Sequence, residues 1–174
     1  LFGFFAQWFT DSFLRTDPED PRFNTSNHEI DLCQVYGLTA CDTHLLRDIP
    51  TDPKAVRGPR GRLKTNDEAG FEGFPPFLFD REGGKVRKEY LHLSYIDPDT
   101  STYRSDVLGK GTFNKPERRK RLFATGLERG NSSIFYSAIN TIFFREHNRL
   151  ADLIAAEYEW DDDRVFETAR NVNI

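Results

Sequence analysis

The stretch that decides the fold reads FFREHNRL, from Phe143 to Leu150. Five polar residues follow one another inside a run that otherwise carries apolar side chains at helical spacing. The pattern therefore predicts a buried helix carrying polar groups that an ordinary core would exclude. Glu146 and Arg149 are three residues apart, so a salt bridge along one helix face is geometrically easy.

Working outward, hydrophobic spacing extends this helix from about residue 132 to 157. The side chains expected on its buried face are Phe135, Ile139, Ile142, Phe143, Leu150, Leu153 and Ile154. Asp161 or Asp162 is expected to cap a last helix. Phenylalanines at steps of three and four predict a first helix over 1–15, and shorter helices are expected over 29–36 and 117–127.

The chain between about residues 47 and 118 has a different character. Most of the nine prolines and several Gly-rich turns fall within it, which predicts a long, mainly irregular segment that is either functional or mobile. Tyr90 to Tyr95 alternates in polarity and predicts a short strand inside it. The predicted fold class is mainly α.

Composition excludes several classes of protein. A net charge of −4 offers no general attraction to nucleic acid or to an anionic membrane. The basic run over 115–121 is interpreted as a solvated helix start.

The chain also lacks the patterns of a membrane span and of a disulfide framework. No apolar window is long enough for a transmembrane span. Two cysteines, Cys33 and Cys41, are too few for a disulfide framework, so both are expected to be reduced and partly buried. Because the chain lacks Met and both of its ends look cut, we expect a fragment of a longer protein.

The first predicted helix carries three candidate site residues at successive turns. Gly3, Gln7 and Asp11 are spaced i, i+4, i+8 and so lie along one stripe. Glycine lets a flat ligand approach the backbone, while glutamine and aspartate offer polar groups beside dense aromatic residues. The alternative is that Gln7 and Asp11 mark the solvent side of an amphipathic helix, and spacing alone leaves both interpretations open.

Three blocks of the chain resemble a known superfamily. They are FFAQWFTD with its flanking residues (4–14), NHEIDLCQVYG (27–37), and 122–153, which contains REHNR preceded by Phe-Ala-x-Gly. These blocks resemble the distal-side helices of the peroxidase–cyclooxygenase superfamily, and within it the fatty-acid oxygenases of the prostaglandin endoperoxide (G/H) synthase type. The resemblance implies that residues 1–174 are part of a single, mainly α catalytic domain of the haem peroxidase type.

The resemblance also implies a cofactor, substrates and partners for the full-length protein. The cofactor would be haem b, and the substrates would be an unsaturated fatty acid, O₂ and a hydroperoxide. A homodimer and a peripheral membrane contact through other parts of the protein are compatible with it, whereas no nucleic-acid partner is implied. The proximal His and the radical-forming Tyr of the family would lie beyond Ile174, so no iron ligand is expected in this segment.

Carried over residue by residue, the resemblance assigns distal roles to three side chains. Gln7 matches the family's glutamine, but Asp11 stands where the family has its distal His, which predicts weakened peroxidase chemistry because an ordinary carboxylate is a weak base. Arg129 falls where myeloperoxidase-type enzymes carry their distal Arg, although a surface Arg at a helix start is equally compatible. If Arg129 pointed into the pocket, it would pair with Asp11 and lower the pKa of that carboxyl.

Two other possible metal sites are disfavoured. His28, Glu29 and Asp31 fall where myeloperoxidase-type relatives bind calcium, but this chain keeps only Asp31 at the matching positions, and hard cations need several oxygen ligands. His147 lies in a motif that is structural in the family, so we do not expect it to bind iron.

The expected function is therefore haem-dependent oxygenation of unsaturated fatty acids, with this chain supplying the distal half of the domain. Two alternatives remain at this stage. One is a relative that binds haem or lipid without catalysis, since the distal His is missing. The other is a myeloperoxidase-type peroxidase, favoured by Arg129. As an isolated polypeptide, the chain is not expected to bind haem stably.

Overall fold

The computed structural model describes residues 2–17, 19–26, 30–104 and 115–174. The α-helices are α1 (Phe2–Thr10), α2 (Cys33–Tyr36), α3 (Ala40–Leu46), α4 (Pro116–Arg119), α5 (Ile134–Glu157) and α6 (Asp162–Asn173), and 3₁₀ turns span Lys88–Tyr90 and Glu128–Asn131. Two antiparallel pairs join β1 (Arg47–Asp48) to β2 (Arg62–Leu63) and β3 (Ile96–Asp97) to β4 (Thr102–Tyr103). The prediction of a mainly α fold is confirmed.

The chain forms two compact units. The first unit combines the chain up to Leu45 with Phe77–Asn140, and the second combines Leu46–Pro76 with Thr141–Ile174. Residues of α5 belong to both units, because the boundary falls between Asn140 and Thr141.

The first unit is built around buried aromatic and aliphatic side chains. Its fully buried members include Trp8, Tyr36, Leu78, Phe79, Tyr90, Leu93, Ile96, Leu127 and Tyr136. Gly126 lies directly against the backbone of α2, where an added Cβ would meet the carbonyl oxygen of Cys33 and the amide of Gly37. Only glycine permits this close approach, which places the Glu128–Asn131 turn beside α2.

The second unit packs α6 on the C-terminal part of α5. Val165 and Ala169 of α6 contact Ala151 of α5, with Leu150 and Ile154 partly buried at the edge of the cluster. Asp161 caps α6 by accepting a hydrogen bond from the amide of Arg164 at 3.0 Å, as the sequence predicted. Asn148 fixes β2 to α5, because its side chain exchanges two hydrogen bonds with the backbone of Leu63.

The extent of α5 is confirmed, but the predicted buried face is partly wrong. Ile139 is buried, whereas Phe135, Ile142 and Leu153 are exposed, Ile142 at 64%. The buried residues of α5 are Tyr136, Ile139, Asn140, Thr141, Phe144, His147, Asn148 and Ala151. Apolar residues occur on more than one face of this helix, so periodicity alone did not determine which face is buried.

Three shorter predicted helices differ from the observed ones. Helix α1 ends at Thr10 rather than Arg15, because the amides of Ser12 and Phe13 turn back to carbonyls three residues earlier. Helix α2 begins only at Cys33, since Leu32 has a φ of 55°, in the left-handed region. The helix predicted over 117–127 ends at Arg119. Helix α3 was not predicted.

The segment over 47–118 is mainly irregular where the structure describes it, as predicted. The strand predicted over 90–95 is wrong, because amides there close turns, with Leu93 donating to the carbonyl of Tyr90 and Ile96 to that of Leu93. Many side chains of the segment are nevertheless buried, among them Phe77, Leu78, Phe79 and Ile96.

The predictions for the two cysteines and for the possible calcium-site residues have different outcomes. Cys33 is a buried thiol, but Cys41 is exposed rather than partly buried, and both are free. His28 and Glu29 lie outside the described residues. No described helix combines the length and the apolar character needed to cross a membrane.

Candidate functional site

Asp11 lies at the end of α1 and is held by Arg129. The amide of Asp11 donates to the carbonyl of Gln7 at 3.1 Å, so the residue sits one turn beyond Gln7. Its side chain is buried, with 4% of the residue exposed. Nη1 of Arg129 donates to Oδ1 of Asp11 at 2.6 Å. The predicted proximity of the two residues is therefore confirmed, and Arg129 is not a surface residue without a partner.

The charge balance around Asp11 differs from the prediction made for this pair. Burial raises the pKa of the Asp11 carboxyl, and this effect outweighs Arg129, Tyr136 and Arg15, each of which lowers it. The predicted effect of Arg129, which is to lower the pKa of Asp11, is confirmed, but the net pKa is raised, because removing a carboxylate from water costs more than the partly exposed guanidinium returns. A carboxyl with a raised pKa can both hold and release a proton.

Gly3 and Gln7 lie in a different environment from Asp11. Both are exposed on α1, and the Gln7 side chain makes no hydrogen bond within the described residues. A Cβ added at Gly3 would meet no atom within 4 Å. The predicted stripe is therefore divided, with an open face at Gly3 and Gln7 and a buried carboxyl one turn further on.

A second ion pair, which the sequence did not predict, lies beside the first. Arg15 donates to both carboxylate oxygens of the buried Glu128, at 3.3 and 2.9 Å. Glu128 precedes Arg129 in the same 3₁₀ turn, so this fork fixes the turn to the chain just after α1. The adjacency of Glu128 and Arg129 was the only available indication in the sequence.

Buried groups of α5 complete the surroundings of Asp11. Nε1 of Trp8 donates to Oδ1 of Asn140 at 3.2 Å, which joins α1 to α5. Tyr136, one turn before Asn140, is fully buried, and the Asp11 charge contributes to the raised pKa of its hydroxyl. The thiol of Cys33 lies 3.4 Å from the carbonyl oxygen of Ser12. Burial raises the pKa of this thiol to about 12, so the thiol keeps its proton at neutral pH.

The REHNR motif forms structural contacts in the second unit. Nε2 of the buried His147 lies 2.9 Å from the carbonyl oxygen of Gly61, which requires the proton on Nε2 because a carbonyl only accepts. Burial lowers the pKa of His147 to about 4, so the ring is neutral. Glu146 and Arg149 form the predicted salt bridge at 2.7 Å. Nε of Arg145 donates to the carbonyl of Gly73.

Comparison with known proteins identifies the family. The sequence profile described as "Animal haem peroxidase" matches residues 11–174. The chain belongs to the animal haem peroxidase family. Prostaglandin G/H synthase 2 of Equus caballus is 31% identical over 177 residues, which cover 100% of this chain and 23% of that protein. Prostaglandin G/H synthase 2 of Gallus gallus and prostaglandin G/H synthase 1 of Mus musculus are each 30% identical, with the same coverage.

This animal haem peroxidase chain corresponds to only part of its relatives. It spans about a quarter of the length of the curated relatives it matches, and the family to which it belongs is made up of haem peroxidases. Within the described residues, His, Cys, Asp and Glu side chains do not gather in groups that could hold a metal ion. Asp31 has a local structural role, since its Oδ1 accepts from the amide of Cys33 at 3.1 Å.

Proposed function

We propose that this chain forms the distal part of a haem-dependent peroxidase and dioxygenase that acts on unsaturated fatty acids. The observation that carries the proposal is the ion pair between the buried carboxyl of Asp11 and the partly exposed Arg129, one turn beyond the open face at Gly3 and Gln7. Relatives named prostaglandin G/H synthases match the whole chain, and they support the choice of a fatty acid as substrate.

Gly3 and Gln7 of α1, together with Asp11 just after it, fit a haem group. The Cβ position of Gly3 is unobstructed, so a flat macrocycle can approach the backbone there, and the exposed amide of Gln7 offers a hydrogen bond at the same face. The Asp11 carboxyl is buried one turn further on, with Arg129 on its Oδ1. We therefore assign Gly3, Gln7 and Asp11 to haem contact. When bound, haem would supply the two electrons that reduce the hydroperoxide, and the oxidising chemistry of the family that follows.

Asp11 and Arg129 would act on the hydroperoxide as an acid–base and electrostatic pair. With its raised pKa, Asp11 can take the hydroperoxide proton and return it to the departing oxygen, the step that a distal His serves in the family. The guanidinium of Arg129 stabilises the negative charge that develops as the O–O bond breaks. A carboxyl is the weaker base of the two residue types, so we expect slower hydroperoxide reduction than with a His at position 11.

A second candidate function is a myeloperoxidase-type peroxidase without fatty-acid oxygenation. The contact between Arg129 and Asp11 favours it, because an Arg that reaches the distal acid–base residue matches the arrangement expected of those enzymes. A third possibility, a relative that binds haem or lipid without catalysis, rests only on the replacement of the distal His by Asp11.

The test uses the full-length, haem-loaded protein and two reactions. Stopped-flow spectroscopy would follow hydroperoxide reduction, and an oxygen electrode would follow O₂ uptake with an unsaturated fatty acid. Asp11→His should raise the rate of hydroperoxide reduction, and Asp11→Asn should lower it at least about tenfold. Asp20→Asn is the matched control, since Asp20 forms an ion pair of the same length, with Arg22, at the surface.

The outcomes separate the candidates. Hydroperoxide reduction with O₂ uptake supports the dioxygenase, and reduction without O₂ uptake supports the peroxidase. If neither reaction occurs in the wild type or in Asp11→His, both catalytic proposals fail. A wild-type rate equal to that of Asp11→His would mean that Asp11 and Arg129 already perform the full acid–base step.

A further inference from the structure

We propose that Tyr136 is a positioning residue of the distal site, with its hydroxyl donating to Oδ2 of Asp11 while Arg129 holds Oδ1. The inference rests on the proposed function, because it assigns a role to a side chain beside the proposed acid–base residue. Neither the sequence patterns nor the family resemblance indicated this tyrosine.

The position of Tyr136 on α5 supports the assignment. The residue is 0% exposed and lies one turn before Asn140 on the same helix face. Asn140 accepts a hydrogen bond from Trp8, which precedes Asp11 by three residues. The buried face of α5 that carries Tyr136 therefore packs against the end of α1, where the Asp11 carboxyl lies.

Unpaired polar atoms around Asp11 also support a hydrogen bond from Tyr136. The Tyr136 hydroxyl, Oδ2 of Asp11 and Nε of Arg129 are all buried, and none of them has a hydrogen-bond partner of normal geometry in the described residues. Leaving such groups unpaired is costly. A phenol is a donor and a carboxylate oxygen is an acceptor, so a small rotation of either side chain, or one bridging polar molecule, satisfies both.

Electrostatics fix the direction of this hydrogen bond. Burial and the Asp11 charge raise the pKa of Tyr136, so the phenol keeps its proton and acts as the donor. In return, the hydroxyl lowers the pKa of Asp11, in the same direction as Arg129. With one donor on each oxygen, the carboxyl is held in a single orientation, and its proton affinity is set from both sides.

The test is Tyr136→Phe in the full-length holoprotein, with two measurements. The first is the acid limb of the pH profile for hydroperoxide reduction. The second is the infrared C=O stretch of protonated Asp11, assigned as the band absent from Asp11→Asn, titrated in the same protein. Loss of the phenol donor should move both midpoints to higher pH, by at least about half a unit.

Tyr95→Phe is the matched control, because its hydroxyl is also buried in the first unit but donates to the carbonyl of Thr125 at 2.8 Å. This variant should lose stability and keep both midpoints. Replacement of Tyr136 by 3-fluorotyrosine, a stronger donor of nearly the same shape, should move the midpoints to lower pH. This second variant provides the test if Tyr136→Phe does not fold.

Unchanged infrared midpoints in both Tyr136 variants would overturn the proposal. A shift in Tyr95→Phe equal to that in Tyr136→Phe would overturn it as well, because the effect would then be a general loss of packing. If the wild type does not reduce hydroperoxide, the proposed function fails, while the infrared titration still decides the role of Tyr136.

Discussion

Asp11 combines burial with an ion pair, and the balance between them has a measurable sign. Its pKa is raised in the folded chain above the ordinary value of 3.8. The folded state therefore keeps the proton at pH values where the unfolded state has already lost it. Asp11 favours folding fully below pH 3.8, and this contribution is lost as the pH rises through the folded pKa.

We predict that Asp11→Asn removes this loss. The free energy of unfolding of the variant minus that of wild type should be larger at pH 7 than at pH 4, because asparagine carries no charge to desolvate. Urea unfolding of the full-length protein at the two pH values measures it. Asp20→Asn is the control with the opposite sign, since the hydrogen bonds from Arg22 lower the pKa of Asp20. A relative stability of Asp11→Asn that does not change with pH would contradict the prediction.

The buried His147 should give the free energy of unfolding the opposite dependence on pH. Burial lowers its pKa from 6.5 to about 4, so its contribution to folding is fully present above pH 6.5 and is lost as the pH falls towards 4. The loss amounts to about 3 kcal/mol. His147→Gln should flatten the stability curve between these pH values, measured by thermal unfolding in a pH series. An equally steep curve in the variant would show that another group causes the decline.

At the scale of elements, Asn148 connects α5 to β2. Its side chain accepts from the amide of Leu63 at 2.8 Å and donates to the carbonyl of Leu63 at 3.0 Å. Asn148→Ala leaves both buried backbone groups unpaired and should lower the free energy of unfolding by about 2–4 kcal/mol. Asn171→Ala, at an exposed position of α6, should change it by less than about 0.5 kcal/mol. Equal effects of the two variants in denaturant unfolding would contradict the proposed contribution of the Asn148 hydrogen bonds to stability.

The orientation of α5 can be tested with two truncations. Phe144 is buried, whereas Leu150 is partly buried at the edge of the α6 contact. Phe144→Ala should cost about 3–5 kcal/mol and Leu150→Ala about 1–2 kcal/mol. The reverse order of the two costs, measured by chemical denaturation, would mean that the face predicted from periodicity is the buried one after all.

Helices α5 and α6 were predictable because each has a long apolar pattern, and α6 also has a capping aspartate at its start. The short elements were not, since their ends depend on contacts distant in sequence. Leu32, for example, adopts a left-handed conformation just before α2, and no local pattern indicates it. At the site, the family resemblance indicated Asp11 and Arg129. It did not indicate Tyr136 or Glu128, whose importance comes from burial beside that pair.

At the scale of the whole molecule, the isolated chain is predicted not to retain haem. In this chain the proposed haem contacts are Gly3, Gln7 and Asp11, which all lie along α1 or just after it. Haem mixed with the 174-residue chain should separate from it on gel filtration, whereas the full-length protein should keep its Soret absorbance. A stoichiometric Soret band eluting with the isolated chain would contradict the prediction.

The irregular segment of the second unit also has a consequence for motion. Between Arg47 and Pro76, two backbone amides are held by side chains of the helices: that of Gly61 donates to Asp162 at 2.5 Å, and that of Leu63 donates to Asn148. A segment with so little ladder structure would contribute almost nothing to a circular dichroism spectrum. The amides of Gly61 and Leu63 should nevertheless exchange with deuterium as slowly as those of α5 and α6, because they are released only when the helices that hold them come apart.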